Sequence, residues 1–292
     1  MIEIKDLNFK YPNGKGVFDI SFEVRKGQVV GFLGPNGAGK TTTIRCILGF
    51  VRGTTGSVTV DGLDSFNDAT EVSAKIGYIA GEPAFPAGMS GREFLDYVAT
   101  LRNVPAAKVE ELIEYFELNA MTKIKKMSKG MKQKTAIISA IMHDPQIYIL
   151  DEPTSGLDPL MQAKFIEFLK KEKQAGKTML ISSHMFEEIE RTADRILIIR
   201  DGRIVKEDNV KNLKTQQRKK FIVRGHVGDL KLSNVESKLL ENDQYEFLVQ
   251  PEMVDKFIKA LSKHIVIDIE QRVISLEEIF MHFYSVGKEV SK

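Results

Sequence analysis

The chain has 292 residues, a formal net charge of +2 and one cysteine, Cys46. That length suits one large domain, or one with a smaller companion, and is enough to bury a core without covalent staples. The near-neutral charge argues against general nucleic-acid binding, the lone cysteine excludes a disulfide framework within the chain, and the five histidines are too scattered for a metal cluster. Residues 1–5 alternate like a strand and carry no signal-peptide pattern. The longest apolar runs, at 147–150 and 196–199, are strand-sized, whereas a membrane-spanning helix needs about 20 apolar residues. The expectation is a chain soluble in itself, reaching a membrane only through a partner.

Residues 1–30 read as short strands around turns, of which Pro12-Asn13-Gly14 is the plainest. Tyr11 closes the alternating stretch 7–11. It is either an exposed aromatic on an edge strand or a flat platform for a nucleobase, and the phosphate-binding signal that follows favours the platform. That signal is Gly34-Pro35-Asn36-Gly37-Ala38-Gly39-Lys40-Thr41, a full match to G-x-x-x-x-G-K-T. It lies between a short buried strand at 28–33 and a helix starting at 41–48. Glycines let consecutive backbone N–H groups curl toward one anion, and the helix start adds unpaired donors and a positive dipole end. Lys40 is then placed to reach the β- and γ-phosphates and Thr41 to ligate Mg²⁺, with Thr42 next in the same helix start. A glycine-rich turn with a surface lysine is the alternative, and it leaves the strand, loop and helix order unexplained. Cys46 falls in this helix as a small buried residue.

Residues 56–60 read as a strand with an Asp61-Gly62 turn, and 75–80 as another strand leading into Gly81-Glu82-Pro83. Ser90 and Glu93 form a capping box, followed by Phe94, Val98 and Leu101 at helical spacing. A second amphipathic helix spans 109–116, so 85–143 reads as a mostly helical insert. The lysine-dense stretch 123–134 is either a solvated helix face or a surface turned partly to a polyanion such as ATP. Ser128 caps the helix that runs on through Ile141.

The run Ile147-Tyr148-Ile149-Leu150 ends in Asp151-Glu152. Asp151 could merely open a turn, but two adjacent acids after a buried strand suit nucleotide chemistry. The first holds Mg²⁺ or its water and the second polarises the attacking water. Asp158-Pro159 starts a helix that closes at Gly176. A strand at 177–183 precedes His184, which is structural or, at the end of a central strand, part of the site. Residues 195–205 form a hairpin around Asp201-Gly202. The charged stretch 206–220 reads as a helix-to-linker boundary. Beyond it come strands at 221–224, 245–249 and 266–269 and helices at 251–264 and 275–285, the last with a Ser275/Glu278 capping box. This small α/β domain, 216–292, shows no catalytic pattern.

In this order of motifs the chain resembles the ATP-binding subunits of ABC transporters over residues 1–215. The stretch 34–41 is similar to the Walker A loop, and 148–152 to the Walker B strand with its catalytic glutamate. Residues 128–133 resemble the signature motif and Ser155-Gly156-Leu157-Asp158 the D-loop. His184 matches the switch histidine and Tyr11 the adenine-stacking aromatic. The resemblance implies two such domains closing head to tail over two ATP molecules, as a homodimer or with a related ATPase. Each ATP is then held by Walker A of one chain and by Ser128 and Gly130 of the other. It implies in-line attack by a water held by Glu152 and His184, Mg²⁺ on Thr41 and Asp151, and Asp158 carrying contact between the two sites. Two positions depart from the family pattern: the signature reads Met127-Ser128-Lys129-Gly130-Met131, and Gly81 stands where the family has a glutamine, with Glu82 a candidate replacement.

Both departures and the C-terminal domain are similar to a bacterial exporter branch with separate ATPase and permease chains. Its members move drugs, peptides or toxins, polysaccharides or ions. The implied function is ATP hydrolysis driving export through a transmembrane permease, at the cytoplasmic face of the plasma membrane. The competing functions are a regulator that binds ATP with little hydrolysis and a soluble, non-transport ABC ATPase. The expected fold is α/β, a P-loop NTPase with a mostly parallel central sheet. An N-terminal antiparallel β layer, the helical insert and the small C-terminal domain complete it.

Overall fold

The computed structural model describes residues 1–183, 186–215, 219–230, 232 and 235–272. The chain divides into two units, Met1–Asp208 and Asn209–Lys292. The first unit opens with β1 (Ile2–Lys10), β2 (Gly16–Val24), β3 (Val29–Leu33) and α1 (Lys40–Ile47). Then come β4 (Thr55–Val60), β5 (Leu63–Asp64), α2 (Ala69–Lys75) and β6 (Ile76–Ile79). Three helices follow, α3 (Gly91–Leu101), α4 (Ala106–Tyr115) and α5 (Lys129–Ile141). The unit closes with β7 (Ile147–Asp151), α6 (Pro159–Gln174), β8 (Thr178–Ser183), α7 (Phe186–Thr192), β9 (Arg195–Arg200) and β10 (Arg203–Asn209).

A four-stranded antiparallel sheet has the order β2-β1-β4-β5, with Ile4 opposite both Phe22 and Val58. The six-stranded sheet runs β10-β9-β3-β8-β7-β6, and its central pairs are parallel. Every residue of β3, β7 and β8 is buried, as strands covered on both faces require. One core joins Ile2, Ile20 and Val60 of the first sheet to Ile44 and Ile47 of α1 and to Phe32, Ile149 and Leu197 of the second. Each such fully buried side chain contributes roughly 1.5–3 kcal/mol. The core clamps α1, and with it the loop from β3, between the sheets. Three parallel strands thus end at one edge, where α/β sheets bind ligands.

Local chemistry sets the helix starts. Ser90 and Glu93 complete a reciprocal capping box on α3, Ser128 accepts from the Met131 N–H on α5, and Asp158 accepts from the Met161 N–H on α6 with Pro159 at the first position. The α3 stripe lies one residue away from the expected Phe94, Val98 and Leu101. Its buried residues are Gly91, Leu95 and Ala99, while Leu101 is exposed; at Gly91 the lack of a side chain lets Met127 and the Ala120 carbonyl approach closely. The stretch 206–220 is not simply a helix-to-linker boundary. β10 continues to Asn209 with alternating exposure: Arg203, Val205 and Glu207 are exposed, while Lys206 and Asp208 are half-buried on the other face of this edge strand. A short helix, α8 (Val210–Thr215), follows.

The second unit contains, besides α8, β11 (Lys219–His226), β12 (Val235–Leu239), β13 (Gln244–Val249), α9 (Val254–Leu261) and β14 (Ile265–Arg272). They form an antiparallel sheet of order β12-β13-β11-β14. α9 packs Phe257 and Leu261 against Phe221, Val223, Phe247 and Val249. β12 was not legible because its residues are mostly polar, and pairing with β13 makes it a strand. The helix expected at 275–285 lies outside the described residues.

Candidate nucleotide site

The loop 34–39 leaves the end of β3 and turns into α1 at Gly39, whose φ of +114° no L side chain adopts without strain. Lys40 is almost fully buried. Its Nζ donates to the Gly34 carbonyl at 2.6 Å and the Pro35 carbonyl at 3.3 Å, and lies 3.6 Å from Glu152 Oε1. At the next position the Thr41 hydroxyl donates to Asp151 Oδ2 at 2.7 Å. The parallel register of β7 and β8 sets Ser182 beside Asp151, and its hydroxyl donates to Asp151 Oδ1.

Glu152 has a positive φ of 49°. Such a conformation costs on the order of 1–3 kcal/mol in a non-glycine residue and persists only where the surroundings over-determine it. Its N–H donates to the Ser182 carbonyl at 3.0 Å, and its carbonyl accepts from the Ser155 N–H at 3.1 Å. The bend carries Glu152 out of the strand toward the loop.

A cleft of about 370 Å³ is lined by Tyr11, Pro35, Asn36, Gly37, Gly39, Lys40, Thr41, Thr42, Arg45, Asp151 and Glu152, with residues of the β1–β2 turn at its rim. Gly34 and Ala38 are buried behind it. Tyr11 sits past the end of β1, which is an interior strand and not an edge. Its ring meets Phe9 edge-on at 4.7 Å, and its hydroxyl accepts from Arg45 at 3.4 Å. A second cleft of about 510 Å³ shares Thr41, Asp151 and Glu152 and adds Tyr78, Gly81, Glu82, Lys129 and Ser155. Burial, followed by the Asp151 charge, pushes the Tyr78 hydroxyl up to about 12, so it stays a proton donor at neutral pH. Of the lysine stretch, Lys129 thus lines a cleft, while Lys123 bonds Gly88 and Glu93 on the surface.

Ser128, Gly130 and Asp158 line neither cleft. Ser128 and Asp158 are exposed helix caps, and the Met161 N–H first among the causes lowers the Asp158 pKa. Gly130 is required by close approach, since a Cβ there would stand 2.8 Å from the Gly156 carbonyl. Gln133, buried one turn along α5, donates to the Pro153 carbonyl at 2.7 Å. His184 lies outside the described residues.

Reading the sequence missed Arg45, although it stands four residues after Thr41 on one helix face. It also missed Ser182, whose contact with Asp151 comes only from chain segments brought together in space. Among the described residues no group of three or more His, Cys, Asp or Glu side chains is placed to hold a metal alone. Thr41 and Asp151 are nonetheless an oxygen-only pair in hydrogen-bond contact, the donor type that Mg²⁺ takes while phosphates and waters complete its shell.

Residues 17–155 match the family model described as ABC transporter. The bacitracin transport ATP-binding protein BcrA of Bacillus licheniformis is 38% identical over 75% of this chain and 73% of its own. The ABC transporter ATP-binding protein NatA of Bacillus subtilis is 36% identical over 75% of this chain and 93% of its own. Among solved structures, dimeric MJ0796, a bacterial ABC transporter cassette, is similar with a TM-score of 0.66 at 25% identity, covering 72% of this chain and 99% of that one.

Proposed function

The chain belongs to the ATP-binding proteins of ABC transporters and is an ATPase of that family, and from this premise we propose that it powers export through a separate membrane permease. The observation that carries the site assignment is the convergence of Lys40, Thr41, Asp151 and Glu152 on one cleft beneath Tyr11. Tyr11 stacks on the adenine, with Arg45 holding its hydroxyl. The backbone of 34–42 cradles the phosphates, and Lys40 leaves the loop carbonyls to meet their charge. Glu152 orients and deprotonates the attacking water, and His184 is assigned the partnering role on the family resemblance. Thr41 and Asp151 hold Mg²⁺, which when bound neutralises charge on the phosphate oxygens.

Ser128 and Gly130 line neither cleft of their own chain, which supports a second copy supplying them to the ATP of the first. Asp158, exposed two residues beyond the Gly156 that Gly130 approaches, joins the contact between the two sites. BcrA is named for bacitracin transport, and the same branch supports export here, with a drug, peptide, polysaccharide or ion as cargo. The permease brings the chain to the cytoplasmic face of the membrane.

The test compares Glu152→Gln with wild type in ATP hydrolysis and in dimer mass with and without ATP. The expected result is active wild type, and a variant that binds ATP, turns over at least 10²-fold more slowly and accumulates as a dimer, as removal of a positioned general base predicts. A variant that hydrolyses ATP at the wild-type rate would remove Glu152 from the mechanism. Binding with no turnover or pairing in either protein would favour a regulator.

A further inference from the structure

Glu188 is a buried carboxylate on α7 to which nothing above assigns a role. Its Oε1 accepts from the hydroxyl of Thr154 and its Oε2 from the hydroxyl of Ser183 at 2.9 Å. Both donors are themselves buried. Thr154 lies two residues beyond Glu152, and Ser183 is the last residue of β8, immediately before His184 in the sequence. One side chain therefore ties the segment after β7 to the end of β8. The α7 backbone is fixed in turn. Ile189 packs so closely on Gly31 of β3 that a Cβ there would stand 2.3 Å from Ile189 Cγ2, and the Thr192 hydroxyl donates to the Glu188 carbonyl at 2.7 Å.

This tie matters because Glu152 is held in a strained conformation. A positive φ at a glutamate persists only where the surrounding structure over-determines it, and contacts on both sides of Glu152 do so. The upstream side is the strand itself, with the Asp151 carboxylate pinned by Thr41 and Ser182. Downstream, besides the Ser155 N–H on the Glu152 carbonyl, two side chains hold the segment: Gln133 on the Pro153 carbonyl and Glu188 on the Thr154 side chain. Glu188 alone of these two also grips β8, whose Ser182 carbonyl receives the Glu152 N–H. We propose that Glu188 is a positioning residue for hydrolysis, locking Thr154 to Ser183 so that the Glu152 carboxylate is aimed at the nucleotide. It touches neither ATP nor the attacking water.

The inference rests on the ATPase reading of the same site, so wild type is measured alongside every variant. Glu188→Ala leaves two buried hydroxyls without this acceptor and releases the segment. A displacement of about 1 Å in a reacting group can cost on the order of 10²-fold in rate. The expected outcome is a fall in kcat of at least tenfold per folded molecule, with KM for ATP within about twofold of wild type. Glu188→Gln accepts from one hydroxyl and donates to the other, so it should recover kcat to within about threefold of wild type. Thr154→Val should act like Glu188→Ala, and the double variant should be no worse than either single one. Should Glu188→Ala not fold, Thr154→Val and Glu188→Gln carry the test.

A purely structural role would lower the melting temperature and leave kcat per folded molecule unchanged, and that result overturns the proposal. So does an additive double variant, or a Glu188→Gln as slow as Glu188→Ala. Wild type without ATP turnover would instead overturn the ATPase reading itself, a separate failure.

Discussion

Lys40 shows at the residue scale how the site is charged. Its ammonium is buried and is held by two loop carbonyls at 2.6 and 3.3 Å, with the Glu152 carboxylate 3.6 Å away. On the proposed reading this cation exchanges its loop carbonyls for a phosphate inside a low-dielectric site, where a charge contact is worth far more than in water. Lys40→Ala should weaken ATP binding and lower hydrolysis by about 10²–10³-fold, the range for losing one preorganised electrostatic contact. Binding calorimetry and steady-state hydrolysis check this, and undiminished turnover would refute the phosphate-loop assignment. Cys46, five residues from Thr41, has no comparable part. It is buried, and burial pushes its thiol up to about 11, which makes it a small core residue.

The capping box of α3 illustrates the element scale, because one carboxylate there serves three donors. Glu93 accepts from the Ser90 N–H at 2.6 Å, the Ser90 hydroxyl at 2.9 Å and Lys123 Nζ at 2.9 Å. These contacts, the Ser90 backbone first, hold its carboxyl down to about 2 from an ordinary 4.5. A carboxyl whose folded pKa is lowered binds its proton more tightly in the unfolded chain. Its stabilisation is therefore complete above the unfolded value and disappears as pH falls through the folded one. The urea stability of wild type minus that of Glu93→Gln should be constant above about pH 5 and shrink steadily toward about pH 2. A difference independent of pH over that window would show that the charge of Glu93 is not used. Similar local chemistry starts α5 at Ser128 and α6 at Asp158, which places both residues on the surface assigned to the second copy.

For the whole molecule, no helix among the described residues is long and apolar enough to cross a membrane. On the proposed transporter reading, the permease is the expected route of membrane attachment. Expressed alone, the chain should remain in the soluble fraction, and co-expressed with its permease it should sediment with membranes and release on loss of that permease. Sedimentation followed by immunoblotting checks this, and attachment without any permease would refute partner-mediated docking.

The phosphate loop, the acidic pair after β7, the helix caps at Ser90, Ser128 and Asp158 and the alternation of β1 were legible in the sequence, because each is carried by neighbouring residues. The shift of the α3 stripe, the polar strand β12 and the interior place of β1 were not, since packing and pairing between distant segments override local pattern. The same holds inside the site. Contiguous residues by themselves marked out the groups proposed to meet phosphate and water. Only the tertiary structure decided that Ser182 braces Asp151 from 31 residues away and that Glu188 grips Thr154 from 34. For Ser182 the physical reason is that parallel strands join through long crossovers, so their register puts side chains together that no sequence spacing connects, and for Glu188 it is the packing of α7 on β3.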